Sequence, residues 1–165
     1  RQGCDFIERT SVFVDLGLLP KFDRDTIPYS TKKQLPLLGG AFLDKNNVVI
    51  PIRHVVSNDI VGKQIIYPDG RKKFEKGTKK AGAGAYIGEP SDVLYLCESW
   101  STGCTVHLST KKQVLFCLDA KTLVQTSKLL KHQNIVVAAD NDEEGIRAAK
   151  ATGLAYAVPE EEGLD

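Results

Sequence analysis

The chain has 165 residues, of which 42% are hydrophobic and 26% charged, and its formal net charge is +1. That length allows one domain or two small lobes on a shared core, and the composition excludes a globally disordered chain. No apolar run approaches the ~18 residues of a membrane span and no signal-peptide pattern is visible, so the expectation is a cytoplasmic protein with no membrane partner.

Residues 1–41 read as irregular, with Pro20, Pro28, Pro36 and a Gly39-Gly40 pair. One short amphipathic helix is expected near Asp5 to Leu16, as a packing arm. Residues 47–90 read as antiparallel strands. Val48-Val49-Ile50-Pro51-Ile52-Arg53 and Ile60 to Tyr67 are β-rich runs, and Val55 to Asp59 between them has turn chemistry. Pro68-Asp69-Gly70 predicts a tight hairpin turn into a third strand from Arg71 to Phe74. Gly82, Gly84 and Gly88 punctuate the stretch from there to residue 90. The near-neutral total hides asymmetry, because 71–80 (RKKFEKGTKK) is strongly basic and 140–165 is acidic. Separated blocks of opposite sign suit a protein that binds both an anion and a cation.

From Asp92 the pattern changes. Four apolar runs start at Val93, Val114, Ile135 and Leu154, none of them alternating, as in strands buried on both faces. Helical spacing lies between them, at Ala120, Leu123, Val124, Ser127 and Leu130, and again at Ile146, Ala149 and Gly153. The prediction is an α/β fold: a small doubly wound domain over 91–165, with four parallel strands and three helices, preceded by a mainly antiparallel β lobe over 1–90.

The four cysteines (Cys4, Cys97, Cys104, Cys117) form no CxxC pair. Cys97 and Cys117 sit inside apolar runs and read as small buried hydrophobes in a reducing compartment. His54, His107 and His132 have no ligand spacing. Trp100 reads as a core or hinge aromatic.

The acids at the strand ends carry the chemistry. Open parallel sheets bind ligands beyond the carboxyl ends of their strands, where strand order reverses. The first run ends at Glu98 and the third at Asp140, with Asp142 two residues on. If the first and third strands are neighbours, these three carboxylates converge on one patch suited to Mg²⁺ or Mn²⁺. Helix capping accounts for Asp140 and Asp142 as well, and it suits Glu143 and Glu144 best. Both readings stand on spacing alone.

The same residues carry a family resemblance. Leu94-Tyr95-Leu96-Cys97-Glu98, followed by Val136-Val137-Ala138-Ala139-Asp140-Asn141-Asp142 and Gly145, resembles the TOPRIM domain of DnaG-type primases, topoisomerases and some nucleases. Upstream, Val49 to Arg53, Ile60 to Ile66 and Asp69 to Phe74 resemble the segment that precedes TOPRIM in plasmid and phage primases. Phe116 to Leu123 is similar to a middle motif of that subgroup. The sequence departs from the family at Ser99, where Gly is preferred, and at Thr122, often Asn.

The resemblance implies a primase RNA-polymerase core that makes short RNA primers from nucleoside triphosphates on single-stranded DNA. Asp140 and Asp142 would hold the metal, and Glu98 would act as ligand or general base, with Asp165 as a further acid. Arg53, Lys72, Lys73 and Lys80 are the candidates for nucleotide and template binding. A replicative helicase or further domains of a longer protein are the expected partners, and both chain ends read as cuts. The alternatives are a TOPRIM nuclease using the same acids and a degenerate TOPRIM module that only binds DNA or protein.

Overall fold

A computed structural model describes residues 27–132 and 134–159. The expected arm helix near Asp5 to Leu16, Cys4 and Asp165 lie outside the described residues. After a short helix α1 (Tyr29–Lys32) come β1 (Phe42–Asp44), β2 (Asn47–His54), β3 (Ile60–Ile66), β4 (Lys72–Phe74) and β5 (Ala83–Ile87). The chain continues through β6 (Leu94–Cys97), α2 (Trp100–Thr110), β7 (Gln113–Phe116), α3 (Ala120–Ser127), β8 (Ile135–Ala138), α4 (Glu143–Thr152) and β9 (Ala155–Ala157). No described helix is long and apolar enough to cross a membrane.

All nine described strands join one mixed sheet, ordered β4-β3-β2-β5-β7-β6-β8-β9, with β1 against β2. The pairs β6·β7, β6·β8 and β8·β9 are parallel, and the first and third runs are neighbours as the strand-end argument requires. The four-stranded parallel unit is therefore not a sheet of its own. It continues into the antiparallel strands through β5, which pairs antiparallel with both β2 and β7. The division predicted near residue 90 falls in the β5–β6 loop, across which the sheet is continuous.

Strands β1 and β5 lie outside the predicted runs, and β5 has a physical reason for hiding. Its sequence, Ala83-Gly84-Ala85-Tyr86-Ile87, reads as glycine punctuation. In the fold, a Cβ on Gly84 would lie 2.5 Å from the Phe116 carbonyl oxygen, so only glycine lets β5 sit between β2 and β7.

Pro51 in the middle of β2 is accommodated by register. Its partner Lys63 donates its N–H to Thr78 Oγ1 (3.3 Å) and accepts from Glu75 N (2.9 Å), both away from β2. Pro51 and Lys63 thus form a non-hydrogen-bonded pair, and the missing proline N–H points into the gap between β1 and β5.

Two apolar clusters cover the two faces. One spans both halves of the chain: Val48, Ile50, Ile52 and Ile66 from the antiparallel strands with Ile87, Cys97, Trp100, Cys104 and Phe116. The other joins Leu94, Leu96, Leu115, Ile135 and Val137 to Leu123 of α3 and Ala149 of α4. Helix α2 therefore covers one face and α3 with α4 the other, the doubly wound arrangement. Cys97, Cys104 and Cys117 are free and buried, and burial pushes all three thiols up. The three histidines serve the backbone: His107 Nδ1 donates to Lys112 O (2.7 Å), His132 bonds Ser91 O (2.9 Å), and His54 Nδ1 accepts from Val56 N (3.2 Å).

Candidate active site

Three βα junctions of the parallel half open on one edge of the sheet, and each places a polar residue as helix N-cap. Ser99 caps α2 by accepting from Thr102 N (3.3 Å), Asp119 caps α3 by accepting from Thr122 N (2.8 Å), and Asp142 caps α4 by accepting from Gly145 N (2.6 Å). The capping reading of Asp142 is thus correct. Ser99 has φ −126° and ψ 153°, extended backbone that any residue adopts, so the departure from glycine there costs no strain and adds a cap. Trp100, fully buried, donates from Nε1 to Leu38 O (2.9 Å) and ties the segment before β1 beneath this edge.

Strand order reverses between β6 and β8, where α2 leaves on one face and α4 on the other. Glu98 and Asp140 flank that point. Glu98 is half-buried, and its carboxyl is pushed up to about 7, first by burial and then by the charges of Asp140, Asp142, Glu144 and Asp119. Asp140 and Asp142 therefore lie close enough for their charges to act on Glu98. Glu144 and Asp119 join them. Among the described residues, no three His, Cys, Asp or Glu side chains close on one point at ligand distance. The patch is a gathered set of oxygen donors rather than a preassembled cage.

Asp119 is the residue that sequence reasoning missed as a site. Its Oδ2 holds Lys80 Nζ at 2.6 Å, and that ammonium also sits 4.6 Å from the centroid of the Phe74 ring. Burial works to raise the Asp119 carboxyl, but its bonds to Lys80 and Thr122 outweigh that and hold it below the usual range. The available signal was positional: Asp119 follows a parallel strand as Glu98 and Asp140 do.

The basic candidates separate. Lys80 reaches the patch through Asp119. Lys72 pairs in register with Ile66, on the same face as Phe74, whereas Lys73 pairs with Ile65 and points to the other face; both lysines are exposed. Arg53 donates from Nη1 to Asn58 O (2.9 Å) and lines a cleft of about 370 Å³ with Pro51, His54, Gly84 and Tyr86. Lys72 thus shares the Phe74 face against which Lys80 packs, and Lys73 takes the opposite one.

The molecule thus has a doubly wound parallel half, acids at its switch point, and an antiparallel lobe in the same sheet. No protein-family model matches the sequence. Solved structures share the architecture. The DnaG catalytic core matches with a TM-score of 0.56 at 14% identity, over 88% of this chain and 56% of that one. The DnaG primase catalytic domain bound to ssDNA matches at 0.54 and 14%, over 87% and 57%. The primase fragment of the bacteriophage T7 primase-helicase matches at 0.52 and 15%, over 92% and 73%. The chain has the fold of DnaG-like primase catalytic cores, and it spans 56% of the length of the DnaG core it matches.

Proposed function

We propose that this chain is the catalytic core of a DNA primase, joining ribonucleoside triphosphates into short primers on a single-stranded DNA template. The observation that carries the proposal is the through-space convergence of Glu98, Asp140 and Asp142 at the switch point of a fold shared with primase cores.

A hard divalent cation, Mg²⁺ or Mn²⁺, fits the chemistry of this patch, since its donors are carboxylate oxygens and Glu98 is raised by burial and then by the neighbouring negative charges. Asp140 and Asp142 would hold it, with Glu98 beside them. Bound there, the ion would acidify an attacking 3′-hydroxyl and neutralise phosphate oxygens. Without the ion, burial and then the neighbouring acids hold the Glu98 carboxyl up at about 7, and a bound cation would draw it back toward the carboxylate form that can ligate or accept a proton. Asp142 keeps one oxygen on Gly145 N, which leaves the other for a ligand. Lys80 stands at the rim to meet phosphate, and Arg53, Lys72 and Lys73 are the candidates for template contact. Single-stranded DNA is the template partner by analogy with the DNA-bound DnaG domain, and a helicase or helicase domain is the partner by analogy with the T7 protein.

The test is incubation with ribonucleoside triphosphates, single-stranded DNA and Mg²⁺ or Mn²⁺. Template-dependent oligoribonucleotides are expected, lost in Asp140→Ala while far-UV circular dichroism is retained. DNA degradation without nucleotides, and no primers with them, would replace this reading by a nuclease.

A further inference from the structure

The junction after β7 shares a three-residue turn with the junction after β8, where Asp142 N bonds Asp140 O at 2.9 Å, but differs from it in the backbone at the turn's centre. Leu118, whose side chain is 6% exposed, has φ +73°, a conformation that bulky residues rarely adopt. Asp119 N bonds back to Cys117 O at 2.9 Å, closing a three-residue turn of the rare, strained kind around Leu118. The strain lies directly before Asp119, whose carboxylate is held by Thr122 N and Lys80 Nζ. Such strain persists where the surrounding structure over-determines it, and it concentrates at functional sites.

The carboxylate divides its work. Oδ1 caps α3, whereas Oδ2 takes the Lys80 ammonium at 2.6 Å. Lys80 comes from the other half of the molecule, on a loop anchored by Lys79 N to Val61 O (3.1 Å) and Ala83 N to Lys80 O (3.1 Å). The ammonium is held between Asp119 and the Phe74 ring, and its side chain keeps 40% of its surface open. It is anchored, aimed at the acidic edge and still reachable by a ligand.

We propose that Asp119 is a positioning residue that holds Lys80 at the rim of the acidic patch, so that Lys80 receives the terminal phosphates of an incoming nucleoside triphosphate. This rests on the primase reading for its biological substrate, but the phosphate contact is testable without it. The sign of the effect separates the possibilities. If Asp119 acted only as one more negative charge, removing that charge would tighten phosphate binding. If it only capped α3, Asp119→Asn would keep the cap and leave phosphate binding unchanged. Positioning alone predicts weaker binding.

The experiment measures binding of tripolyphosphate and of ATP, each with Mg²⁺, by calorimetric titration of the full chain, alongside KM and kcat for primer synthesis. Asp119→Asn is expected to raise Kd and the KM for ATP roughly tenfold with kcat changed far less. Lys80→Gln should do the same, and the double variant should be no worse than either single one. Unchanged or tighter binding in Asp119→Asn overturns the proposal, as do single effects that multiply in the double variant. Because Lys80 is only partly buried, Lys80→Gln tests the pair even where Asp119→Asn fails to fold, and unchanged tripolyphosphate binding in it also overturns the proposal. Wild-type protein that binds tripolyphosphate but makes no primers defeats the primase reading alone. Protein that makes primers but binds normally after Asp119→Asn defeats the positioning role alone.

Discussion

A Cβ placed on Gly145 would lie 2.6 Å from the Asp140 carbonyl oxygen and 3.0 Å from Asp142 Oδ1. The first turn of α4 is thus pressed against the loop that carries both acids, and glycine is what permits it. Gly145→Ala must push that loop outward. The expected result is a loss of about 1–3 kcal/mol of stability, as for other overpacked sites, together with weaker Mn²⁺ binding. Urea unfolding and metal titration check the two effects separately.

Glu98 makes stability depend on pH in a defined direction. Its folded carboxyl titrates at about 7 against an ordinary 4.5, so between these values the folded state binds the extra proton. Stability therefore falls as pH rises across that window. Because the side chain is only half-buried, solvent screens much of the repulsion, and a gain of about 1 kcal/mol at pH 8 is the expected order for Glu98→Gln. Thermal melts from pH 5 to 8 should flatten in that variant. Mg²⁺ should raise the wild-type Tm more at pH 8 than at pH 5.5.

Trp100 is the largest fully buried side chain among the described residues, and its Nε1 bond to Leu38 O is a polar tie between α2 and the segment before β1. Trp100→Phe removes that bond and part of the ring volume. The expected cost is about 2–3 kcal/mol in urea unfolding, with the α/β circular dichroism signature retained.

Thr126 is fully buried in α3, and its Oγ1 has no hydrogen-bond partner among the described residues. Thr126→Val keeps the shape and removes the buried hydroxyl, so it should stabilise the chain by about 1 kcal/mol. Gln64→Leu on the core face of β3 should act in the same direction, because Gln64 is 3% exposed and its Oε1 lacks a partner among the described residues. A rise in thermal midpoint is the measurement in both cases.

The parallel half was legible because its signals are local. Non-alternating apolar runs mark strands covered on both faces, and an acid after a strand end announces a helix cap, as Asp142 shows by capping α4. The helix over Trp100 to Thr110 was expected only as one of three between the four strands, without bounds or a periodicity of its own. The turns at Val55 to Asp59 and Pro68 to Gly70 were readable from their Asn-Asp and Asp-Gly chemistry.

Other features depend on partners remote in the chain. Gly84 reads as loop punctuation until Phe116 lies against it, and only then does Ala83 to Ile87 become the strand that joins the two halves into one sheet. Lys72 and Lys73 look like one basic strip in the sequence, but strand alternation sends them to opposite faces of the sheet. Asp119 reads as one member of a middle motif until Lys80 arrives from the other lobe. Composition and periodicity along the chain determined the strand ends and the acids on them. Tertiary structure decided which cation meets those acids, because an ion pair depends on where two distant segments are held, and no spacing along one segment records that.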